Sequence, residues 1–401
     1  MTQWTEYTTG ERIKLLRGPD MTQEQLAEAA GLSVATIRKA ERNLGGSLQT
    51  LLRISAALHT DVSVILGQQA PRRAMHGADR AMMRELSRSV HDTAANVGVD
   101  VQPPSPAELA AGLAAAWKSY RSGDYVRAGV RVAPALREAA ATLKAAPVDQ
   151  KSAAAGILAD AYRLAAYVAN QFGARDLAYA GIGHAQHQAD YAGDTVRSAM
   201  IASGRSWIYV RDARLDQAEE TARMSYESIE PRYGDRDLGM LATYGWHVTF
   251  AAVVAARQGD VDGADDLLSQ GLAVAARMGR DVMVNGTAFG PATVTAQAIG
   301  ISVSTGRPGK ALSLFQSIGD ANSLAPSARN RMLLDVALAQ AETRQSDTAL
   351  DTLLEVCSAA PGWARHQGLP GVIAQKASAG SATTAKLRKL SSILGTSVII
   401  N

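Results

Sequence analysis

Between residues 22 and 42 the apolar positions recur three and four apart, in two stripes separated by a glycine. Leu26, Ala27 and Ala30 make the first stripe, Ile37 and Ala40 the second. That period is the signature of two short helices, each with one buried face. Thr22 is placed to cap the first helix, and Gln25 three residues later completes a capping box. Gly31 supplies the permissive backbone a tight turn needs, Leu32 fills the corner, and Ser33 caps the second helix. Val34, Ala35, Arg38 and Lys39 are left facing outward.

The same reading extends in both directions. A helix over Thr9–Arg17 offers Ile13, Leu15 and Leu16 to a small core. Ser47 opens a helix running to about Leu58, with Leu48, Leu51, Leu52 and Ile54 inward. A short helix near Val62–Leu66 ends at Gly67, and Pro71 marks a boundary. Residues 72–98 predict a connecting helix, and Val101–Pro106 an extended break in which Ser105 and Pro106 start the next helix. From there onward the pattern is one of helical hairpins. The clearest unit contains Gly123-Asp124-Tyr125-x-x-Ala128, followed in clarity by Gly259-Asp260-Val261-x-x-Ala264 and Ala213-Arg214-Leu215-x-x-Ala218. Aligned on the small residue, the units fall at Ala128, Ala178, Ala218, Ala264, Ala311 and Ala349, with spacings of 50, 40, 46, 47 and 38. Residues 383–395 predict a final capping helix. Three segments result: 1–70, a linker over 71–104, and 105–401.

Two helices about a short turn form a helix-turn-helix, which lays its second helix in the DNA major groove. The pattern T-Q-x-x-L-A-x-x-A-G-L-S-x-x-T-I-x-x-x-E-R, Thr22 to Arg42, resembles the Cro/C1-type (XRE) repressor family over roughly residues 8–67. The resemblance implies a five-helix DNA-binding domain. It also implies that Gln23 meets a backbone phosphate, that Val34, Ala35 and Lys39 read bases, and that Glu41 pairs with Arg17. Ser33, Thr36, Arg38, Arg42 and Asn43 complete the candidate DNA-contact set. Two departures stand out: the Gly18-Pro19-Asp20 connection is a residue short, and Ser47 replaces a common Pro. The hairpins resemble tetratricopeptide repeats, although their spacing is longer and less even than the regular value of about 34.

The expected fold is therefore all-α: a repressor-type domain followed by an α-solenoid of about six degenerate tetratricopeptide-like hairpins. Such a superhelix lines its concave face with the first helix of each hairpin. Asp160, Arg163, Tyr167 and Asn170 share one helix face, and Trp207, Arg211, Trp246 and Thr249 fall on the same side of later hairpins. These eight are the candidate ligand-binding residues. Aromatic walls with a guanidinium and an amide suit an extended peptide. For Tyr167, Trp207 and Trp246, burial between repeats is an equal alternative.

Composition narrows the rest. Aromatics are 5% of 401 residues, and the single cysteine, Cys357, excludes an internal disulfide. The polar start shows no signal peptide and no run of about 18 apolar residues stands out, so the expectation is a cytoplasmic protein without membrane contact. The net charge is only +3, and residues 1–70 balance seven basic against seven acidic side chains. A DNA-binding unit without net charge relies on placed contacts and on pairing with a second copy. Arg72, Arg73, Arg80, Arg84 and Arg88 give the linker a basic face, open to phosphate contact or to plain solvation. His184-x-x-His187-x-x-Asp190 has metal-ligand spacing without a further ligand, and Gly306–Lys310 lacks the Ser/Thr and strand of a phosphate loop. Neither implies a metal or cofactor, and no nucleophile–base set implies an enzyme.

The domain order resembles the peptide-pheromone receptors of Gram-positive bacteria. That resemblance implies a homodimeric transcription factor acting on a double-stranded operator in quorum sensing, switched by a short peptide in the groove. A protein partner or a small hydrophobic metabolite are the alternative occupants.

Overall fold

The computed structural model describes residues 7–44, 46–60, 62–67, 77–98, 101–284, 286–319, 321–378 and 384–394. The chain is mostly helical, at 78%. Five helices come first: α1 (Thr9–Arg17), α2 (Gln23–Ala30), α3 (Val34–Glu41), α4 (Leu48–Ala57) and α5 (Val62–Ile65). Their caps are those the sequence predicts. The Thr22 side chain accepts from Gln25 N at 3.1 Å and the Gln25 side chain accepts from Thr22 N at 2.8 Å. Ser33 and Ser47 each accept from the amide three residues on, both at 3.1 Å. Gly31 adopts the left-handed conformation, φ 60°, that ends α2. Ile13, Leu26, Ile37 and Ile54 are fully buried, whereas Leu15, expected in this core, is 51% exposed.

The linker helix α6 (Gly77–Ala94) follows; Pro71, Arg72 and Arg73 lie outside the described residues. It is not a free-standing connector. Met82, Met83, Leu86 and Val90 bury one face, Met82 against Gly129, and Glu85 pairs with Arg137 at 3.0 Å. Arg80, Arg84 and Arg88 occupy its exposed face.

Six helix pairs then stack in order. They are α7 (Pro106–Arg121) with α8 (Tyr125–Ala145), α9 (Lys151–Gln171) with α10 (Arg175–Ala192), and α11 (Thr195–Arg211) with α12 (Leu215–Glu227). Then come α13 (Leu238–Gln258) with α14 (Val261–Met278), α15 (Pro291–Ser304) with α16 (Pro308–Ser317), and α17 (Pro326–Glu342) with α18 (Ser346–Ala359). Ala128, Ala178, Ala218, Ala264, Ala311 and Ala349 each stand fourth in the second helix of a pair, and all six are 0% exposed. A methyl at this point lets the two backbones approach, and a larger side chain there would overpack the contact. Three helices, α19 (Pro361–Ala364), α20 (Leu369–Ser378) and α21 (Thr384–Leu394), close the described chain.

α13 is long and apolar enough to cross a membrane, with a mean hydropathy of 1.4 in its best window. This corrects the expectation that no segment reaches that length. The helix is the inner member of the fourth pair, and 67% of the window is buried inside the fold. Thr243, His247 and Thr249 break up its apolar run and are themselves buried.

Two features were not expected. A two-stranded antiparallel hairpin, β1 (Val282–Val284) and β2 (Thr287–Phe289), interrupts the helices between α14 and α15. Phe289 anchors it, fully buried against Gly245 of α13, and the Asp281 carboxylate accepts from Ala292 N and Thr293 N at 3.0 and 3.1 Å. The stack also curls back on its own start. Trp363 Nε1 of α19 donates to the Tyr125 hydroxyl of α8 at 3.1 Å, and α17 packs against α7. The six pairs thus make a closed turn around a central space.

A candidate DNA interface and a cavity between the domains

The recognition surface is built by locking α2 to α3. The Glu41 carboxylate pairs with Arg17 Nε at 2.7 Å, with both side chains mostly buried, as the sequence implied despite the short connection. Its other oxygen accepts from Gln23 Nε2 at 2.6 Å, and the Gln23 carbonyl accepts from Arg38 Nε at 3.2 Å. Arg38 also reaches Glu24 at 3.3 Å. The network holds the α3 axis at a fixed angle to α2 while its outer face stays open. Ala35, Arg38, Lys39 and Arg42 are exposed there, with Ser33 at the helix start and Thr36 half-buried.

Three candidates sit differently from the expectation. Val34 is half-buried against the small core. The Gln23 amide is already spent on Glu41 and Arg38, so it braces the motif before it meets any phosphate. The Asn43 side chain accepts from Gly10 N at 2.7 Å and donates to Thr8 Oγ1 at 2.8 Å, which ties the end of α3 to the start of α1. Its short amide tolerates the positive φ of 59° found there.

Residues 13–65 match the helix-turn-helix family model. These residues form a helix-turn-helix domain of the Cro/C1 (XRE) type. The domain implies DNA binding, and a long, mostly helical region of packed helix pairs follows it. No curated protein and no solved structure matches the chain.

A second site lies inside the closed turn. A cavity of about 430 Å³ is lined by the first helix of all six pairs, a size suited to a compact organic ligand. Its aromatic wall runs from Trp117 through Tyr167 to Trp207, with ring centroids 5.8 and 5.3 Å apart, and continues to Trp246 and Phe250. The hairpin tip forms another side: a methyl added at Gly286 would stand 3.1 Å from the Trp117 ring. Part of the remaining wall comes from the helix-turn-helix domain, through Leu48 of α4 and Val62, Ser63 and Leu66 at α5, and part from Gln367, Gly368 and Leu369 at the start of α20. The domain is seated there by α4 against α15 and by Gln375 Nε2 donating to the Asn43 carbonyl at 3.4 Å.

Of the eight candidate ligand residues, the structure brings Tyr167, Trp207, Arg211 and Trp246 to this cavity. The other four are behind the wall. Arg163 is 1% exposed, stacked over Trp117 at 4.7 Å and paired with Asp160 at 3.3 Å. Asp160 also pairs with Arg197 at 3.2 Å. Asn170 is fully buried and accepts from Arg175, whose Nε donates to the Arg211 carbonyl at 3.1 Å. Thr249 donates to the Gly245 carbonyl at 2.7 Å, back-bonded along its own helix. These residues position the wall rather than touch its contents.

Charge on the cavity wall is one-sided. Arg121, Arg211, Arg257 and Arg331 line it, with Asp335 the single carboxylate among the described lining residues. Asp335 is itself paired with Arg331 at 3.2 Å. Burial lowers the Arg121 pKa and pushes that of the Tyr125 phenol up to about 12, an effect that the nearby charges of Arg211 and Arg331 oppose. Sequence reasoning missed Arg121, Arg257 and Arg331, and the hairpin. The Asn285-Gly286 dipeptide was the signal available for the hairpin.

The discounted motifs are used elsewhere. Arg307 of the Gly306–Lys310 turn grips Asp265 with two bonds of 2.6 and 3.0 Å. His184 stands 5.3 Å from the Tyr162 ring, and Asp190 accepts from Gln186 at 2.7 Å. Cys357 is fully buried, its thiol pushed up to about 12 by that burial.

Proposed function

We propose that this chain is a transcriptional regulator whose operator affinity is set by a ligand held in the cavity between its helix pairs and its helix-turn-helix domain. The observation that carries the reading is that one cavity is walled by both domains. A ligand there touches Leu48, Val62 or Leu66 directly. It therefore has different contacts when the DNA-binding domain is seated and when it is released. Only such a difference can shift a conformational equilibrium. The coupling runs through that shared wall, since α6 is packed into the stack and is not free to swing. A cavity of about 430 Å³ favours a compact molecule over an extended peptide.

The regulator acts as a two-fold dimer in the cytoplasm, without catalytic activity. One recognition helix on a domain of balanced charge holds an operator weakly, and a second linked copy raises the effective concentration. Selection of bound sequences from random duplex DNA, using the full chain, tests the reading. It predicts an inverted repeat with half-sites about one helical turn, or a small multiple, apart. Recovery of no preferred sequence would reject it.

A further inference from the structure

The cavity is apolar in body, and four arginines but one carboxylate line it among the described residues. Asp335 is spent on Arg331, and no second carboxylate lines the wall among the described residues. Arg211 is the most telling member. It leaves the last turn of α11 with its Nε buried and without a hydrogen-bond partner, and its guanidinium makes no ion pair among the described residues. A buried donor left unsatisfied is destabilising, and an acceptor on a ligand would complete it. Its backbone is fixed from behind, because Arg175 binds the Arg211 carbonyl and Asn170 together. Arg121 lies on the same wall, at the end of α7. A planar fork of donors on the same wall as Trp117, Tyr167 and Trp207 fits a carboxylate or sulfonate attached to a flat apolar body.

We infer that the cavity takes a compact organic anion, its aromatic or alicyclic body against Trp117, Tyr167 and Trp207 and its anionic group on Arg211. This deepens the functional reading above and rests on it. The anionic group supplies the acceptors that the wall lacks, and the body fills the space that the hairpin tip and α5 enclose. A neutral molecule of the same shape gains the apolar contacts but leaves Arg211 unsatisfied.

The test uses two fluorescent probes with one ring skeleton, 8-anilinonaphthalene-1-sulfonate and the neutral N-phenyl-1-naphthylamine, titrated into the full chain. The inference predicts that the sulfonate binds at least about tenfold more tightly, the ratio expected for a charge-assisted hydrogen bond. Arg211→Met should erase that preference and leave the neutral probe's affinity unchanged, while Arg211→Lys should keep most of it. Because no hydrogen bond of the folded chain is lost with the Arg211 Nε donor, Arg211→Met should unfold at or above the wild-type midpoint, which separates a lost preference from a lost fold. Equal affinities in the wild type, or a preference that survives Arg211→Met, would overturn the anion assignment and leave the cavity as a ligand site. Ala296→Trp, which fills the cavity from α15, should expel both probes. If both still bind to that folded variant, the cavity is not their site and the functional reading falls with the inference.

Discussion

Trp363 and Tyr125 join the two ends of the helical stack: the indole nitrogen donates to the phenol at 3.1 Å, across 238 residues of chain. Gly123 makes this possible. A methyl there would stand 2.5 Å from the indole, and its φ of 86° disfavours any other residue. An open superhelix can flex at every interface between repeats, whereas one joined at its ends holds a cavity of fixed shape. Removing the hydrogen bond alone, with Tyr125→Phe, should cost about 1 kcal/mol in urea unfolding. Removing the indole, with Trp363→Ala, should cost about 3–5 kcal/mol. An unchanged midpoint for Trp363→Ala would show that the closure is incidental.

His247 gives the fold an acid limit. Burial in α13 disfavours the charged imidazolium and lowers its pKa from 6.5 to about 4. With the folded value depressed, the stabilisation is fully present above pH 6.5 and is lost as pH falls toward 4. The size is up to about 3 kcal/mol. His184 is shifted in the same direction, first by burial. Urea midpoints measured from pH 7 to 4 should therefore fall steeply, and His247→Leu should flatten most of that slope. An equal slope in the variant would assign the acid sensitivity elsewhere.

The hairpin tip is predicted to be intolerant. Gly286 combines a φ of 84° with its contact on Trp117. Gly286→Val should lift the hairpin from the aromatic wall, destabilise by about 1–3 kcal/mol, and weaken sulfonate-probe binding severalfold. Unaltered probe affinity would remove the hairpin from the cavity's working wall.

The division between what the sequence displayed and what it hid is physical. Caps, turn glycine and helix faces are local, so Thr22, Gly31 and Ser33 announced the DNA-binding domain. The six register alanines are also local, each read from its own turn. The cavity is not. Trp207 and Trp246 are marked by helical phase alone, and phase cannot tell Tyr167, on the cavity wall, from Asn170, one turn further round and buried. Arg163 resembled a ligand contact because it shares that face, yet its charge is satisfied by Asp160 and the Trp117 ring. The roles of Leu48 and Val62 as cavity wall depend on how two domains dock, which no periodicity within either one encodes.

On DNA, the bracing network and the reading residues should separate. Lys39→Ala removes an exposed cation without touching the network, and should cost roughly 1–3 kcal/mol on the selected operator while relaxing one base position. Glu41→Ala leaves Arg17 buried and unpaired, and should destabilise the domain by about 3 kcal/mol. Binding measured by anisotropy beside thermal unfolding distinguishes the two. A Lys39→Ala variant with wild-type affinity and motif would place base reading elsewhere on α3.

If the contents of one cavity govern the DNA-binding domain, filling that cavity from either side changes operator binding, whatever the natural ligand. Ala296→Trp fills it from α15, and Leu66→Trp from the helix-turn-helix domain. Operator dissociation constants for both variants and the wild type, each shown folded by circular dichroism, are the measurement. Both substitutions should move the constant in the same direction by at least about threefold, since each makes contacts that only the seated arrangement permits. Wild-type constants for both folded variants would contradict it.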